Sequence, residues 1–588
     1  MPSVFERFFY FWSLVFVFIC CSTLVGADPR QPLPQSPFVS DEQSNNVKFP
    51  VRHHKVAIIG AGAAGSSAAY HLRRLSSDSS PQKDIDLTIF ESQNHVGGRS
   101  TTIDVFGESH YPTELGASIF SAKHNPILSD AVKEFNFTTS RLSLNSKPQK
   151  QGNSKYVLGV WNGHDFVFRT RSDEDNSFSW NWLWDLASML WQYGLSPLKT
   201  RRLMQNTFAE YEKLYHEPLF PFNSLSKVAT NSGLTESTSV TGWEFLLGND
   251  VAEDFARDIV QASTRVNYGQ NLGLINGLET MVCMATEAAV AVEGGNWRIF
   301  DRMIQQSGGN LRLQTTVEKI HQLSEGGYRV TSHRSTSDLT EAQDEEVFDI
   351  VILAAPHQFA DVQFSPPLPI SRAPEQIPYV SLYVTLLTSP HRPSPGFFNS
   401  SGTEADASSI PWSVITTLPP SDQSPTEHDP SHSMHGVGPA GFWSISTLRT
   451  LQVNNSMGEP EEQFLYKIFT PDPLNDTFLS DLFDISPVPA SIETVFADTD
   501  SNQSGRPFSK EDISYLYTKK WDYAYPYAFP RLSDFPNLNL DGASLYYTSG
   551  METLISTMET SALMGKNVAA LILKDINDQL LKPGLSYS

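Results

Sequence analysis

The order of apolar runs along the chain predicts an α/β fold. Val56 to Ile59 is a run of four apolar residues, which is typical of a buried parallel strand. A helical segment, Ser66 to Leu75, follows it, and a second apolar strand is predicted from Ile85 to Phe90. A strand, a helix and a strand in this order predict a Rossmann-type unit with a parallel sheet.

Two other stretches predict different structure. Residues 178 to 215 alternate between aromatic and polar side chains in a way that fits the helices of a second domain. There we expect Trp184 and Leu195 to lie in a helical core, with a lipid pocket as the alternative. Residues 390 to 440 are dense in Pro, Ser, Asp and Gly, which predicts an exposed or partly disordered excursion.

A glycine-rich turn joins the first strand to the first helix. Gly60 allows a sharp turn, Gly62 lets the backbone approach a pyrophosphate, and Gly65 lets the helix pack closely on the sheet. The amides at the start of the helix point at the phosphates, and the carboxylate of Glu91 is placed to accept hydrogen bonds from ribose hydroxyls. The predicted contacts with an adenine dinucleotide are Gly60, Gly62, Ala63, Ala64, Gly65 and Glu91.

The context of this turn favours a nucleotide over a purely structural role. Turns rich in Gly and Ala are common, but this one has a strand before it, a helix after it and an acid at the end of the next strand. A carboxylate rather than Arg or Lys at position 91 argues against the 2′-phosphate of NADP. The turn does not distinguish NAD from FAD.

Segments beyond Glu91 make that distinction. Val96-Gly97-Gly98-Arg99 and Glu114-Leu-Gly116-Ala117-Ser118 resemble two segments of the amine-oxidase-like FAD superfamily. The resemblance implies that the first lies over the pyrophosphate and the second beside the isoalloxazine. It also implies that the backbone of Val317 meets the adenine and that the strand from Phe348 to Pro356 closes the FAD domain. The implied contacts are Gly97, Gly98, Arg99, Gly116, Ala117, Ser118 and Val317.

The C-terminal region extends the same resemblance. Gly550-Met-Glu552 is similar to a turn that returns to the flavin in this superfamily. A helix that begins near Glu559 is implied to direct its amides toward the pyrophosphate and the ribityl chain. The implied contacts here are Gly550, Glu552, Met558 and Glu559.

Three further blocks resemble the prenylcysteine oxidase (prenylcysteine lyase) family. They are Trp521-Asp-Tyr523-Ala-Tyr525-Pro526, Arg265-Val-Asn-Tyr-Gly-Gln-Asn271 and Tyr466-Lys-Ile-Phe469. The likeness runs, with gaps, from residue 53 to residue 572. It implies FAD-dependent oxidation of the thioether of an S-prenyl-L-cysteine, farnesyl or geranylgeranyl, during the degradation of prenylated proteins. Oxygen and water would be consumed, and cysteine, a prenyl aldehyde and hydrogen peroxide released.

The residues point to a substrate pocket but not to a catalytic side chain. A flavin carries the difficult step of such a reaction at its N5, so no acid–base pair is required. Trp521, Tyr523 and Tyr525 are candidates to line an apolar slot for the prenyl tail. The structural alternative is that they form a Tyr/Pro-rich turn packed on the FAD domain.

Two rival functions stay open. An amine or polyamine oxidase of the same fold would share the cofactor segments, although the lysine that such enzymes often place near the flavin is not identifiable from the sequence. A non-catalytic lumenal protein that binds flavin or lipid is the second rival. Intact cofactor segments at both ends of the chain weigh against it.

Composition limits the remaining possibilities. The chain has 588 residues, a net charge of −23 and no basic block, which argues against nucleic-acid binding. Cys283 is the only cysteine after Cys20 and Cys21, so we expect no intramolecular disulfide in the mature protein and a buried free thiol. Cys283 lies far upstream of the C-terminal region in which monoamine oxidases carry their flavin-linked cysteine. The comparison with those enzymes therefore favours noncovalent FAD. We predict no metal site and no stable protein partner.

The N-terminus predicts entry into the secretory pathway. Phe8 to Leu24 carries no charge and precedes a small-residue site, so residues 1 to 27 are predicted to be a signal peptide. An uncleaved membrane anchor is the alternative. Sequons for N-glycosylation occur at Asn136, Asn399, Asn454, Asn475 and Asn502. We expect the lysosome or vacuole lumen, or the extracellular space, as the destination.

The predicted architecture is a Rossmann-type, amine-oxidase-like FAD-binding domain interleaved with an α+β substrate domain. A flexible leader spans 28–52. The FAD-binding domain is assigned 53–135, 265–365 and 536–588, and the substrate domain 136–264 and 366–535.

Overall fold

A computed structural model gives the structure of most of the chain. It describes residues 53–79, 84–141, 155–171, 181–285, 289–334, 343–400, 406–420, 436–454, 457–486 and 508–580. All of these belong to one compact unit, Val51–Ser588. The predicted signal peptide, the whole of the predicted leader and the sequon at Asn502 lie outside the described residues.

The strands are distributed along the whole described part of the chain. In chain order they are β1 (His53–Ile59), β2 (Asp84–Phe90), β3 (Thr101–Asp104), β4 (Pro112–Gly116), β5 (Phe120–Ser121), β6 (Thr139–Arg141), β7 (Tyr156–Trp161), β8 (Phe166–Arg171), β9 (Ala289–Val292), β10 (Asn310–Arg312), β11 (Thr315–Gln322), β12 (Tyr328–Arg334), β13 (Gln343–Phe348), β14 (Ile350–Leu353), β15 (Gln363–Ser365), β16 (Tyr379–Ser389), β17 (Ser413–Thr416), β18 (Ser444–Asn454), β19 (Pro460–Thr470), β20 (Tyr515–Pro526) and β21 (Leu545–Tyr547).

Most of the described helices lie between β8 and β9 in the sequence. In chain order they are α1 (Ala63–Asp78), α2 (Pro126–Glu134), α3 (Asn181–Tyr193), α4 (Ser196–Glu212), α5 (Leu225–Ser232), α6 (Thr235–Thr238), α7 (Gly242–Gly248), α8 (Glu253–Phe255), α9 (Gln261–Tyr268), α10 (Gly277–Met284), α11 (Trp297–Ser307), α12 (His357–Ala360), α13 (Asp476–Phe483) and α14 (Met558–Leu580). In the part of the chain described by the structure, none of them combines the length and apolar character needed to cross a lipid bilayer.

A parallel sheet of five strands forms the nucleotide-binding layer. Its order is β10-β2-β1-β14-β21, and every neighbouring pair is parallel. The run from Val56 to Ile59 is buried within β1, as its uninterrupted apolar pattern predicts. The predicted Rossmann unit is therefore confirmed as β1-α1-β2. β14, which belongs to the segment implied to close the FAD domain, pairs with β1 on one side and with β21 from the C-terminal region on the other.

Helix α14 lies along α1 over this sheet. A Cβ atom at Gly565 would collide with the carbonyl oxygen of Ala64, so the two helix backbones are nearly in contact. The hydroxyl of Ser67 also donates a hydrogen bond of 2.6 Å to the carbonyl of Ala562. The C-terminal helix is thus fixed against the helix that follows the glycine-rich turn.

A sheet of seven strands forms the second large layer. Its order is β20-β16-β19-β18-β17-β7-β8, and all neighbours are antiparallel except β17 and β7. The stretch from 390 to 440 was expected to be an exposed or partly disordered excursion, and the expected exposure is wrong for a segment that the structure describes. Ile410 and Val414 are buried, because β17 inserts between β18 and β7.

The helical interpretation of residues 178–215 is confirmed by α3 and α4. The expectation that Leu195 lies in the helical core is wrong. Its side chain is 63% exposed, because it occupies the outer side of the turn between the two helices. The side chain of Trp184 lies outside the described part of the structure.

Candidate cofactor and active site

The glycine-rich turn has the form that a pyrophosphate requires. Gly60 has φ = +103°, and a Cβ there would lie 2.9 Å from the carbonyl oxygen of Ala354. A Cβ at Gly65 would collide with the carbonyl oxygen of Gly60. Gly62 is the N-cap of α1, and no side chain in the described structure caps that end. Free helix amides at this position favour a bound anion.

The Gly97-Gly98 turn forms the opposite wall of the same site. The amide of Gly97 donates a hydrogen bond of 3.0 Å to Ala61 O, and Gly62 and Gly97 form a parallel bridge. A Cβ at Gly98 would lie 3.3 Å from the Cα of Gly62. The two turns therefore make a cradle of bare backbone, and this cradle fits the pyrophosphate of a dinucleotide.

Glu91 lies at the carboxyl end of β2, beside the cradle. Its Oε2 accepts a hydrogen bond of 2.8 Å from the amide of Ala61, and its Oε1 accepts one of 2.9 Å from Gln93 N. The carboxylate thus holds the first turn in shape. Its predicted contact with a ribose stays a prediction, as does the contact of Val317 with adenine. Val317 is buried in β11, next to a break in the register with β12.

An ion pair joins the cradle to the C-terminal region. Arg99 Nη2 lies 2.7 Å from Glu552 Oε1, and the side chain of Glu552 is only 6% exposed. Tyr379 donates a hydrogen bond of 3.3 Å to the other carboxylate oxygen of Glu552. Arg99 Nη1 also donates to the carbonyl of Ala524, at 3.3 Å. Residues far apart in the sequence, including Arg99 and Glu552, which were each predicted to contact the cofactor, therefore meet at one point.

The other C-terminal candidates, Gly550, Met558 and Glu559, do not take part in this ion pair and have other contacts. Gly550 packs against Pro536, and Met558 begins α14. The carboxylate of Glu559 is buried and accepts hydrogen bonds from the amides of Ile127 and Leu128, at 2.9 and 3.0 Å. Glu559 therefore caps the start of α2. A direct contact of this side chain with the cofactor stays a prediction.

The Gly116-Ala117-Ser118 segment leaves β4 beside Arg99. A Cβ at Gly116 would lie 2.6 Å from the carbonyl oxygen of Arg99 and 3.4 Å from Trp521 Cζ2. Ala117 has φ = +52°, and its carbonyl accepts a hydrogen bond of 2.9 Å from Asn296 Nδ2. The segment is thus fixed between the cradle and the seven-stranded sheet.

A buried lysine contacts this segment. Lys467 Nζ donates a hydrogen bond of 2.9 Å to Ser118 Oγ, and the lysine is 8% exposed. Burial lowers the pKa of Lys467 to about 8, while the nearby Glu114 opposes the change. Burial raises the pKa of Glu114 to about 7, although hydrogen bonds from Asn296 N and Thr102 Oγ1 act in the opposite direction.

The role of position 467 was not visible from the sequence. The signal that could have identified it is a lysine within the apolar run Phe464-Leu-Tyr-Lys-Ile-Phe469. Tyr466 and Ile468, on either side of it in β19, are fully buried. A charged residue inside such a strand needs a specific partner, and Ser118 and Glu114 supply one.

The aromatic block is a strand and not a Tyr/Pro-rich turn. Trp521, Tyr523 and Tyr525 are alternate residues of β20, which pairs with β16. Trp521 faces Gly116, and Tyr525 packs edge-on against Tyr268 with a ring separation of 5.2 Å. Tyr523 stacks on Phe359 at 4.4 Å and is 39% exposed. Trp521 therefore lies beside Gly116, and the Ala524 carbonyl next to Tyr525 contacts Arg99, whereas in the described structure Tyr523 contacts Phe359 and not a cofactor segment.

Cys283 lies in α10, close to two other titratable groups. It is a buried free thiol, as predicted. One turn before it, Glu279 is fully buried, and its Oε1 accepts a hydrogen bond of 2.5 Å from Ser556 N. Burial raises the pKa of Glu279 to about 7, and the hydroxyl of Tyr268 partly offsets this. This cluster adjoins the loop that leads into α14.

The fold and the cradle define a protein with a Rossmann-type dinucleotide-binding site. The profile of a family described as "NAD(P)-binding Rossmann-like domain" matches residues 58–135. That of the family described as "Prenylcysteine lyase" matches residues 175–582. The chain belongs to the prenylcysteine lyase family.

Individual relatives match over most of the chain. "Farnesylcysteine lyase" of Arabidopsis thaliana is 30% identical and covers 91% of this chain and 90% of its own length. "Prenylcysteine oxidase 1" of Bos taurus is 25% identical and covers 88% of each protein. A solved structure of a putrescine oxidase triple mutant has a TM-score of 0.49 at 14% identity, covering 89% of this chain and 99% of that one.

Proposed function

We propose that this protein is an FAD-dependent thioether oxidase that cleaves S-prenyl-L-cysteine. The reaction consumes oxygen and water and releases cysteine, a prenyl aldehyde and hydrogen peroxide. Membership of the prenylcysteine lyase family carries the proposal, since the relatives are named for farnesylcysteine and prenylcysteine. The intact glycine cradle, joined by Arg99 and Glu552 to the C-terminal region, supports a catalytically active protein.

The chain's own residues have two tasks in this proposal. FAD, when bound, supplies the acceptor for a hydride from the prenyl carbon next to sulfur and passes the electrons to oxygen. Trp521 and Tyr525 provide apolar surface beside the cofactor segments, which would orient an isoprenoid tail and exclude water from the reacting carbon. Lys467 and Ser118 would fix the backbone segment next to the site.

One observation favours oxidation of an amine as a second candidate function. An amine oxidase of this fold was expected to need a lysine near the flavin, and Lys467 donates to Ser118 in the segment implied to lie there. The aromatic face of β20 would equally suit an amine substrate. Family membership favours the thioether.

A single anaerobic experiment separates these candidates from a non-catalytic protein. The purified holoprotein is mixed with farnesylcysteine or with spermine without oxygen, and the flavin absorbance is followed. Bleaching by farnesylcysteine, and peroxide on readmission of air, supports the proposal. Bleaching by spermine alone would replace it with amine oxidation, and bleaching by neither would favour a binding protein. Gly65→Val, which blocks the cradle, is the matched control and should purify without flavin.

We further propose that the protein works in the secretory pathway, in a lysosome or vacuole lumen or outside the cell. The charge-free N-terminal stretch supports this, whether it is cleaved or kept as an anchor. Asn136, Asn399, Asn454 and Asn475 all have exposed side chains, as glycosylation requires. Enzymatic removal of N-glycans should increase the electrophoretic mobility of protein purified from its native host, and an unchanged mobility would count against this route.

A further inference from the structure

The turn at Gly269 lies beside a buried indole group that lacks a hydrogen-bond acceptor. Trp443 is 3% exposed, and its Nε1 makes no hydrogen bond within the part of the chain that the structure describes. A Cβ at Gly269 would lie 3.8 Å from this nitrogen and 3.2 Å from Val380 Cγ1. An indole N–H can only donate, and a buried donor without an acceptor is rare enough in proteins to indicate a missing partner.

A fully buried guanidinium lies over the face of this indole. The Cζ of Arg265, in α9, is 4.7 Å from the centroid of the Trp443 ring, and the side chain is 0% exposed. The N–H groups of Arg265 all donate to uncharged oxygen atoms, which belong to the side chains of Thr416 and Asn271 and to the carbonyls of Gly436 and Val437. The hydroxyl of Thr416 in turn donates to the carbonyl of Trp443 at 3.1 Å. The cation and the indole are therefore fixed against each other.

The charge of Arg265 is not balanced by a neighbouring carboxylate. Among the described residues it forms no ion pair, and burial lowers its pKa to about 9, so the guanidinium is still charged at neutral and acidic pH. Asp258, which precedes α9, is paired with Arg257 at 2.7 Å. Glu279 lies near the hydroxyl of Tyr268 at the other end of α9, and the backbone before α14 holds its carboxylate. An unpaired charge is costly to bury, so this cation predicts an anionic ligand.

The cation and the indole adjoin the candidate substrate pocket. Val380 pairs with Tyr525 across β16 and β20, and the ring of Tyr525 packs on Tyr268, one residue before Gly269. Gln270 fixes the end of β20 through a hydrogen bond of 3.0 Å to the carbonyl of its last residue. Tyr525 is one of the residues predicted to line the slot for the prenyl tail. A ligand head group beside Gly269 would thus adjoin that slot.

We propose that Trp443 and Arg265 form the site for the α-carboxylate of the S-prenyl-L-cysteine substrate, with the indole N–H donating to a carboxylate oxygen. Arg265 is a positioning residue, because its own N–H groups are occupied and it acts through its positive charge. That charge polarises the indole on which it stacks and attracts the anion. The inference rests on the proposed function, since it assigns the head group of the same substrate. It predicts discrimination against a substrate without the carboxylate, because the N–H would then stay buried and unpaired.

The test uses the purified holoprotein and two substrates that differ only at the carboxyl group, farnesyl-L-cysteine and its methyl ester. Initial rates of peroxide formation in air give KM and kcat for each. For the wild type, KM should be higher for the ester by on the order of ten- to a hundredfold, with a smaller change in kcat. Trp443→Phe keeps a ring over Arg265 but removes the N–H. It should raise KM for farnesylcysteine by a similar factor and leave KM for the ester unchanged.

The chain offers a matched control in a second buried indole. Trp161 is 4% exposed, and its Nε1 also lacks an acceptor within the described residues, but its ring packs against Phe398 in a different core. Trp161→Phe should therefore leave both KM values unchanged. Flavin content should be the same in the wild type and both variants. The comparison of acid and ester on the wild type does not depend on the folding of any variant.

Two results would overturn the carboxylate site alone. One is an equal KM for the acid and the ester in the wild type, and the other is a Trp443→Phe variant that loses both substrates to the same extent. Oxidation of neither compound by a wild-type protein that carries its flavin would instead overturn the proposed function, and the carboxylate site with it.

Discussion

The buried carboxylates Glu279 and Glu559 predict that the protein becomes more stable as the solution becomes more acidic. Both side chains are almost completely buried, and burial raises the pKa of each from 4.5 to about 7. In the unfolded chain, by contrast, each would titrate near its ordinary value. Between these two pKa values the folded protein binds more protons than the unfolded chain, so the free energy of unfolding rises as the pH falls.

The size of the effect follows from the change in pKa. For one carboxylate with these two values, lowering the pH from about 7.5 to about 5 raises the free energy of unfolding by about 2 kcal/mol. Glu279 and Glu559 together would contribute about 4 kcal/mol over this range if they titrate independently. Most of the gain should occur above about pH 4.5, because below that value the unfolded chain is protonated as well.

Denaturant unfolding of the holoprotein, followed by tryptophan fluorescence across this pH range, measures the effect. Gln resembles the protonated acid, so Glu279→Gln should remove about 2 kcal/mol of the pH-dependent change in the free energy of unfolding. Glu462→Gln, at an exposed position of β19, is the control and should leave the pH dependence unchanged. A wild-type protein that loses stability on acidification, or a Glu279→Gln variant with an unchanged pH dependence, would refute the reasoning.

Four other substitutions test the site. Gly565→Val should separate α14 from α1 and lower the free energy of unfolding by about 3 kcal/mol, with loss of flavin absorbance; Gly248→Ala, where a Cβ meets open space, should change neither. Arg99→Met should leave the buried Glu552 unpaired and lower the free energy of unfolding by about 3 kcal/mol. It should also weaken FAD retention, measured by flavin release on dilution, and adding Glu552→Gln should restore part of the loss. Lys467→Met should remove any change in kcat/KM near pH 8, whereas an identical pH profile in both proteins would exclude a role for this amine. Trp521→Leu should raise KM for farnesylcysteine by up to about tenfold with a smaller effect on kcat, and an unchanged KM would place the prenyl tail elsewhere.

The parts of this fold that sequence predicts well are those where local physics decides the structure. Val56 to Ile59 forms a buried strand because an apolar run of that length suits a parallel sheet, and Gly65 is required by the carbonyl oxygen of Gly60, five residues before it. These features predicted the cradle for the cofactor.

The errors occur where distant segments decide the structure. β17 lies in a stretch whose composition predicts a loop, and it becomes a strand because β7 and β18 offer edges on both sides. The block Trp521 to Pro526 likewise becomes a strand by pairing with β16. Lys467 is significant only because β19 brings it to Ser118, which is 349 positions away in the sequence. No periodic pattern within a short window contains that information.

The position of β21 and α14 has a consequence for how the protein is made. β1 pairs with β14, and β14 with β21, so the nucleotide sheet is completed only after residue 547 has been synthesised. At roughly 5–20 residues per second, the sheet that β1 begins waits about 25 to 100 s on the ribosome for its last strand, β21. During that time Arg99 lacks its partner Glu552, and α1 lacks its contact with α14. Loss of α14 through a late stop codon should therefore produce a protein that never acquires its cofactor, even though nearly all of its sequence is present.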